Sequence, residues 1–180
     1  MIYRFDFGAN KERLLKELVR DDLLPFKDPK TKIQLDFLLI KLTRQRYAKQ
    51  VAEYFSKVLD LPAWDGTPIF YVQKAGHRFP FHQDRKTECS VNVLLDKNPD
   101  PITFRVEQHD NNMEGIDSDI DEHYETALIN VQHWHGVMPP KTTRHLFKVS
   151  IQSKTYDECL EIIKPMYDTD KEMLEIGIFK

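Results

Sequence analysis

The sequence predicts one mostly-β domain of the α+β class, a β-sandwich or barrel with N-terminal helices packed on one outer face. Three observations carry this. Before Gly66 the clearest apolar periodicity is helical. From Pro68 to Gln152 the chain becomes a run of short segments rich in β-branched and aromatic residues, separated by turn signals. At 180 residues it has the length of a single domain with a real core. Helices first and short strands afterwards is the order of a folded sheet with helices against one side.

Met1 to Phe7 alternates, with Ile2, Arg4 and Asp6 against Tyr3, Phe5 and Phe7, and reads as a half-buried strand ending at Gly8. Leu14, Leu15, Leu18 and Val19 then form a helical stripe. Asn10 suits the N-cap, and Pro25 to Pro29 ends any continuation. A second helix is expected from about Thr43, burying Tyr47, Val51, Tyr54, Phe55 and Val58 and stopping at Leu61-Pro62-Ala63. Strands are expected at 68–73, 79–84, 90–95, 102–106, 126–131, 134–137 and 146–152, with turns such as Lys97 to Pro101 and Pro139-Pro140-Lys141. From Thr155 a helical stripe returns through Cys159, Ile162 and Ile163. An apolar tail follows at Met173, Leu174 and Ile176 to Phe179.

Composition narrows the function classes. Hydrophobic residues make up 41% and charged residues 31%, as in ordinary soluble domains. A net charge of -3 supplies no general attraction to phosphate backbones, so nucleic acid is not an expected partner. The apolar run Phe37 to Ile40 is far too short to span a bilayer. No charged start followed by an apolar stretch opens the chain, so no secretory signal is read there. Cys89 and Cys159 form neither a disulfide framework nor a Cys-x-x-Cys pair and read as small core residues. A reducing, cytoplasmic setting is the expectation. His109 to His123 is a polar, acidic insertion. Asp110, Asn112, Glu114 and Gly115 resemble the opening of a calcium loop, but the closing Glu and the flanking helices are missing. It is expected to be a solvated loop or a lid over substrate.

The chemistry-bearing stretch is Phe79 to Asp84. If it is extended, His82 and Asp84 point the same way, and an imidazole and a carboxylate so placed can hold adjacent corners of a metal. A second imidazole would complete the two-His, one-carboxylate face that suits non-haem Fe(II). The segment Thr126 to Val137 offers His133 and His135 on one face, and spacing alone does not choose between them. Arg144 opens the following strand, nine residues after His135.

This order of residues resembles the double-stranded β-helix (jelly-roll) superfamily of Fe(II)/2-oxoglutarate-dependent oxygenases, particularly its small phage and bacterial members and its prolyl-hydroxylase-like branch. The likeness covers about residues 68–152 of a domain expected to span 1–180. It implies that His82, Asp84 and His135 bind iron and that Arg144 binds the distal carboxylate of 2-oxoglutarate. It further implies dioxygen as co-substrate and hydroxylation of a C–H bond, with succinate and carbon dioxide as products. His133 then sits at the rim or orients a neighbouring ligand. Tyr71 and Asn92 are further candidates for the co-substrate, and Lys148, on the face of Arg144, is a second candidate cation.

Physical chemistry agrees with this assignment. Three protein ligands on one face of a metal leave room for a chelating 2-oxo acid. The far carboxylate of such an acid is costly to desolvate unless a cation such as Arg meets it. The resemblance leaves the substrate open between a peptidyl residue and a small metabolite. Repair of nucleobases is disfavoured, because that branch carries a second Arg where Ser150 stands. Two other readings use the same residues: a cupin-like metalloenzyme without 2-oxoglutarate, and a non-catalytic jelly-roll binding module. Whether Arg144 faces the metal pocket separates the first of these from the oxygenase.

Overall fold

A computed structural model describes residues 1–19, 23–27, 32, 34–42, 46–97, 100–108 and 116–168. The elements are β1 (Ile2–Arg4), α1 (Lys11–Val19), β2 (Leu24–Lys27), β3 (Gln34–Leu42), α2 (Arg46–Val58), β4 (Thr67–Gln73) and β5 (Phe79–His82). They continue with β6 (Cys89–Leu94), β7 (Ile102–Gln108), β8 (Ile116–Glu122), β9 (Thr126–Asn130), β10 (His135–Val137), β11 (Arg144–Ile151) and α3 (Tyr156–Tyr167). Two antiparallel sheets result, ordered β1-β9-β6-β11-β4-β3-β2 and β5-β10-β7-β8. This is the expected jelly roll.

Alternation along the strands builds two cores. On one face of the larger sheet Val91, Val93, Leu128, Phe147, Val149 and Ile151 are buried against Leu14, Leu18, Val51, Phe55, Cys159 and Ile163 of the three helices. On the opposite face Leu94, Ala127, Ile129 and Leu146 meet Ile102 and Phe104 of the smaller sheet. The helices therefore cover one outer face, as expected. That inner face also carries the polar side chains Asn92, Arg144 and Lys148, each less than 9% exposed. In register, Lys148 lies between Asn92 of β6 and Ile69 of β4, and Arg144 lies opposite Gln73.

Local chemistry explains the helix ends. Asn10 caps α1 by accepting from the amide of Arg13 at 2.9 Å. Glu17 of α1 accepts from the amides of Tyr47 and Ala48, at 2.9 Å each, at the start of α2. Thr155 and Glu158 form a reciprocal capping box on α3.

The structure corrects the sequence reading in four places. β2 and β3 are strands where only a helix stop and a short apolar run were expected. Pro25 is tolerated because β2 is an edge strand, where a missing amide breaks no outer ladder. The run Leu38-Leu39-Ile40 is apolar on both faces, which hides the period of two. Residues 116–122 of the acidic insertion form β8 rather than loop, paired with β7 throughout. Three of its carboxylates are met from other strands: Thr103 donates to Asp121 at 2.7 Å, Arg105 pairs with Asp119 at 3.0 Å, and Arg4 pairs with Glu122. Aspartate is a poor strand former, so propensity pointed the wrong way. The strand expected over 79–84 ends at His82, leaving Asp84 outside it. The remaining positions of the insertion, 109–115, the expected helix start at Thr43 and the apolar tail from Met173 lie outside the described residues.

Candidate metal centre

His82 and His135 face each other in register across β5 and β10. Between that pair and the next, Val137 with Phe79, β10 advances two residues and β5 three, which marks a bulge at Pro80 and Phe81. The bulge brings Phe79 and His82 to one side, with ring centroids 4.5 Å apart. Gly136 makes this approach possible. A Cβ there would stand 2.9 Å from the Phe79 carbonyl oxygen and 3.2 Å from the Phe81 nitrogen.

Asp84 reaches the same place by a different route. Its amide donates to the Val131 carbonyl at 3.0 Å, and the Gln132 side chain donates at 2.6 Å to the carbonyls of both Asp84 and Thr87. The turn after β5 is thereby tied to the turn after β9. Two His nitrogens and a carboxylate oxygen come within 4.8 Å of one another. The three residues that the sequence singled out are together, although strand alternation is not what unites them.

Both rings are oriented by backbone. Nδ1 of His82 donates to the Pro80 carbonyl at 3.0 Å, and Nδ1 of His135 donates to the His133 carbonyl at 2.8 Å. A carbonyl only accepts, so the hydrogen sits on Nδ1 and the Nε2 lone pairs remain for a metal. His133 therefore contributes through its carbonyl. Its ring is exposed, on a turn and not on a strand.

Lys148 supplies the charge balance. Its Nζ lies 2.6 Å from Oδ2 of Asp84, while Oδ1 lies 3.4 Å from Nε2 of His82. Burial works against a charge on Asp84, but the Lys148 ammonium, by its charge and its hydrogen bond, outweighs it. The carboxyl is held well below its usual range. The same balance raises Lys148: burial opposes its charge, and the Asp84 carboxylate more than compensates. His135, only 7% exposed, is lowered to about 4 by burial and by the neighbouring His82. At neutral pH His135 is therefore a neutral imidazole and Asp84 a carboxylate, the forms in which these two groups bind a divalent cation.

Arg144 lies on the inner face of β11, the face of Lys148, with 6% exposure. Its Nη2 donates to the Tyr124 hydroxyl at 3.1 Å, and its Nε is buried without a hydrogen-bond partner. A buried guanidinium nitrogen without a partner is an open hydrogen-bond donor. Asn92 donates to the same Tyr124 hydroxyl at 3.4 Å and accepts from Ser90 at 2.9 Å, so the polar residue inside an apolar strand has its partners. Tyr71 is half-buried on this face, and burial raises its phenol so that it remains a hydrogen-bond donor. Tyr124 was not visible in the sequence. It stands in a turn 20 residues from Arg144 and belongs to no spacing pattern. Arg85 and Lys86, just past the triad, are exposed.

No protein-family model matches this sequence, and no curated protein matches it. The fold does match solved structures. A Pseudomonas putida prolyl-4-hydroxylase has a TM-score of 0.58 at 13% identity, over 84% of this chain and 91% of that one. An oxidoreductase of the 2OG-Fe(II) oxygenase family from Burkholderia pseudomallei has a TM-score of 0.51 at 10% identity, over 82% and 80%. HygX from Streptomyces hygroscopicus, solved with nickel, 2-oxoglutarate and hygromycin B, has a TM-score of 0.53 at 12% identity, over 87% and 84%. The double-stranded β-helix fold that the sequence resemblance implied is the fold of this chain.

Proposed function

We propose that the protein is an Fe(II)- and 2-oxoglutarate-dependent dioxygenase that hydroxylates a C–H bond, with succinate and carbon dioxide as co-products. The observation that carries this reading is the pairing of a two-His, one-carboxylate cluster with Arg144 on the adjoining sheet face. His82, Asp84 and His135 would hold the iron through two Nε2 atoms and a carboxylate oxygen. Ferrous iron with 2-oxoglutarate and dioxygen supplies the oxidising power; the chain supplies position and a dry pocket.

Arg144, with its open Nε, and the Tyr124 hydroxyl would take the distal carboxylate of 2-oxoglutarate. Asn92 holds Tyr124 in place, and Tyr71 offers a further hydroxyl on the same face. Arg144 and Lys148 stand four residues apart, about 13 Å along the strand. A ligand that meets both the metal and Arg144 carries an anionic group at each end, which favours a dicarboxylate over a simple anion. Because Arg144 faces inward, the oxygenase reading is preferred to a cupin-like centre without 2-oxoglutarate.

The substrate is assigned to the class of peptidyl residues or small metabolites, and the setting to the cytoplasm. Among the described residues no helix is long and apolar enough to cross a membrane. The test is anaerobic titration with Fe(II) and 2-oxoglutarate, following the visible charge-transfer band of the chelate. A band that is lost in His135→Ala and needs far more 2-oxoglutarate in Arg144→Ala is expected. Iron binding without any band would reject 2-oxoglutarate, and no iron binding would reject the catalytic reading.

A further inference from the structure

The two oxygens of Asp84 have different partners. Oδ1 faces Nε2 of His82 at 3.4 Å, whereas Oδ2 is held by the Lys148 ammonium at 2.6 Å. We propose that Lys148 is a positioning residue of the metal centre, holding Oδ2 so that only Oδ1 is left for the metal. The inference rests on the metal-site reading above.

A carboxylate beside a divalent cation can bind through one oxygen or both, and the second oxygen takes up a position that an exchangeable ligand would use. An ammonium group next to a metal weakens metal binding by charge alone, so affinity for the metal does not explain a lysine here. Its hydrogen bond to Oδ2 does. The bond is short and charge-assisted, on a side chain only 8% exposed. Lys148 sits in the middle of β11, in register with Asn92 on one side and Ile69 on the other, so the backbone cannot carry it away. Among the described residues Asp84 is its ion-pair partner. Asn92, its neighbour across the ladder, has its carbonyl oxygen engaged by Ser90.

The experiment counts the exchangeable waters on Mn(II)-loaded protein by water-proton relaxation dispersion. Two imidazoles and one carboxylate oxygen leave about three waters on a six-coordinate ion, and a second carboxylate oxygen leaves about two. Wild type is expected to show the higher count. Lys148→Met is expected to lose about a third of the inner-sphere relaxivity, in line with that difference. Lys148→Arg is expected to restore it. An unchanged count in Lys148→Met, or the lower count in wild type, overturns the proposal. Where Lys148→Met does not fold, Lys148→Gln and the wild-type count decide by the same criteria. Failure of the oxygenase reading looks different: 2-oxoglutarate added to Mn(II)-loaded wild type then displaces no water, while the dependence on Lys148 stands. Wild type that binds no Mn(II) overturns both.

Discussion

His82 and His135 lie opposite each other with ring centroids 4.3 Å apart, and each gives its Nδ1 hydrogen to the carbonyl two residues before it. The Nε2 atoms are thus aimed before any metal arrives, and that aim depends on how closely β10 packs on the β5 bulge.

Gly136→Ala tests this dependence. The added Cβ would meet backbone atoms of Phe79, Pro80 and Phe81 at 2.9 to 3.3 Å, and backbone cannot move aside as a flexible side chain would. Overpacking of this kind costs about 1–3 kcal/mol. A lower melting temperature together with weaker Fe(II) or Ni(II) binding, by calorimetry, is expected. Unchanged metal affinity would show that the ring geometry survives without the close approach.

Tyr124→Phe separates the surroundings of Arg144 from the cluster of His82, Asp84 and His135. It removes one hydroxyl from Arg144 and from Asn92 and leaves the triad untouched. Loss of one hydrogen bond to a charged group is worth about 1.5–3 kcal/mol, which corresponds to roughly a 10- to 150-fold weaker apparent affinity for 2-oxoglutarate. Metal affinity should stay as in wild type. Equal loss of both would place Tyr124 in the metal site instead.

Acidification should destabilise the metal-free protein through His135. Its folded value of about 4 lies below the ordinary 6.5, so the unfolded chain takes up a proton that the folded chain refuses. Stability therefore starts to fall below about pH 6.5 and reaches its full loss by about pH 4, roughly 3 kcal/mol from this group. Asp84, held well below the usual carboxylate range, keeps its charge through this window and adds its loss only at lower pH. Urea unfolding at pH 7, 5.5 and 4.5 is expected to show a shallower decline in His135→Phe than in wild type. Parallel declines would remove His135 as the cause.

Asp65 offers a contrast away from the site. Its carboxylate is 7% exposed and accepts from the amides of Gly66, Gln152 and Ser153 at 2.7 to 3.0 Å, tying the start of β4 to the turn between β11 and α3. Asp65→Ala should cost about 1–3 kcal/mol, since it removes the buried carboxylate that three backbone amides share. Metal affinity of the folded fraction should be unchanged.

The strands from β4 onward, β8 excepted, were legible because each shows apolar and β-branched residues between turn residues, a local signal. β2 and β3 were not, since a proline and an unbroken apolar run mask alternation. β8 was hidden because its ladder partner β7 and the groups that meet its carboxylates lie on other strands, which no window along residues 116–122 contains.

The sequence by itself determined the ingredients: the segments that become most of the strands, the residues His82, Asp84 and Arg144 with two candidate imidazoles at His133 and His135, and a net charge that favours no nucleic acid. Residue type and order suffice for these, because ligand chemistry and strand patterning are properties of short segments. Tertiary structure alone decided the arrangement. It chose His135 over His133 by burying one ring and leaving the other on an exposed turn. It brought Tyr124 to Arg144 across 20 residues and Lys148 to Asp84 across 64. Contacts between residues so far apart are set by which strands pair and in what register, and that follows from burial of the whole sheet rather than from any local stretch of chain.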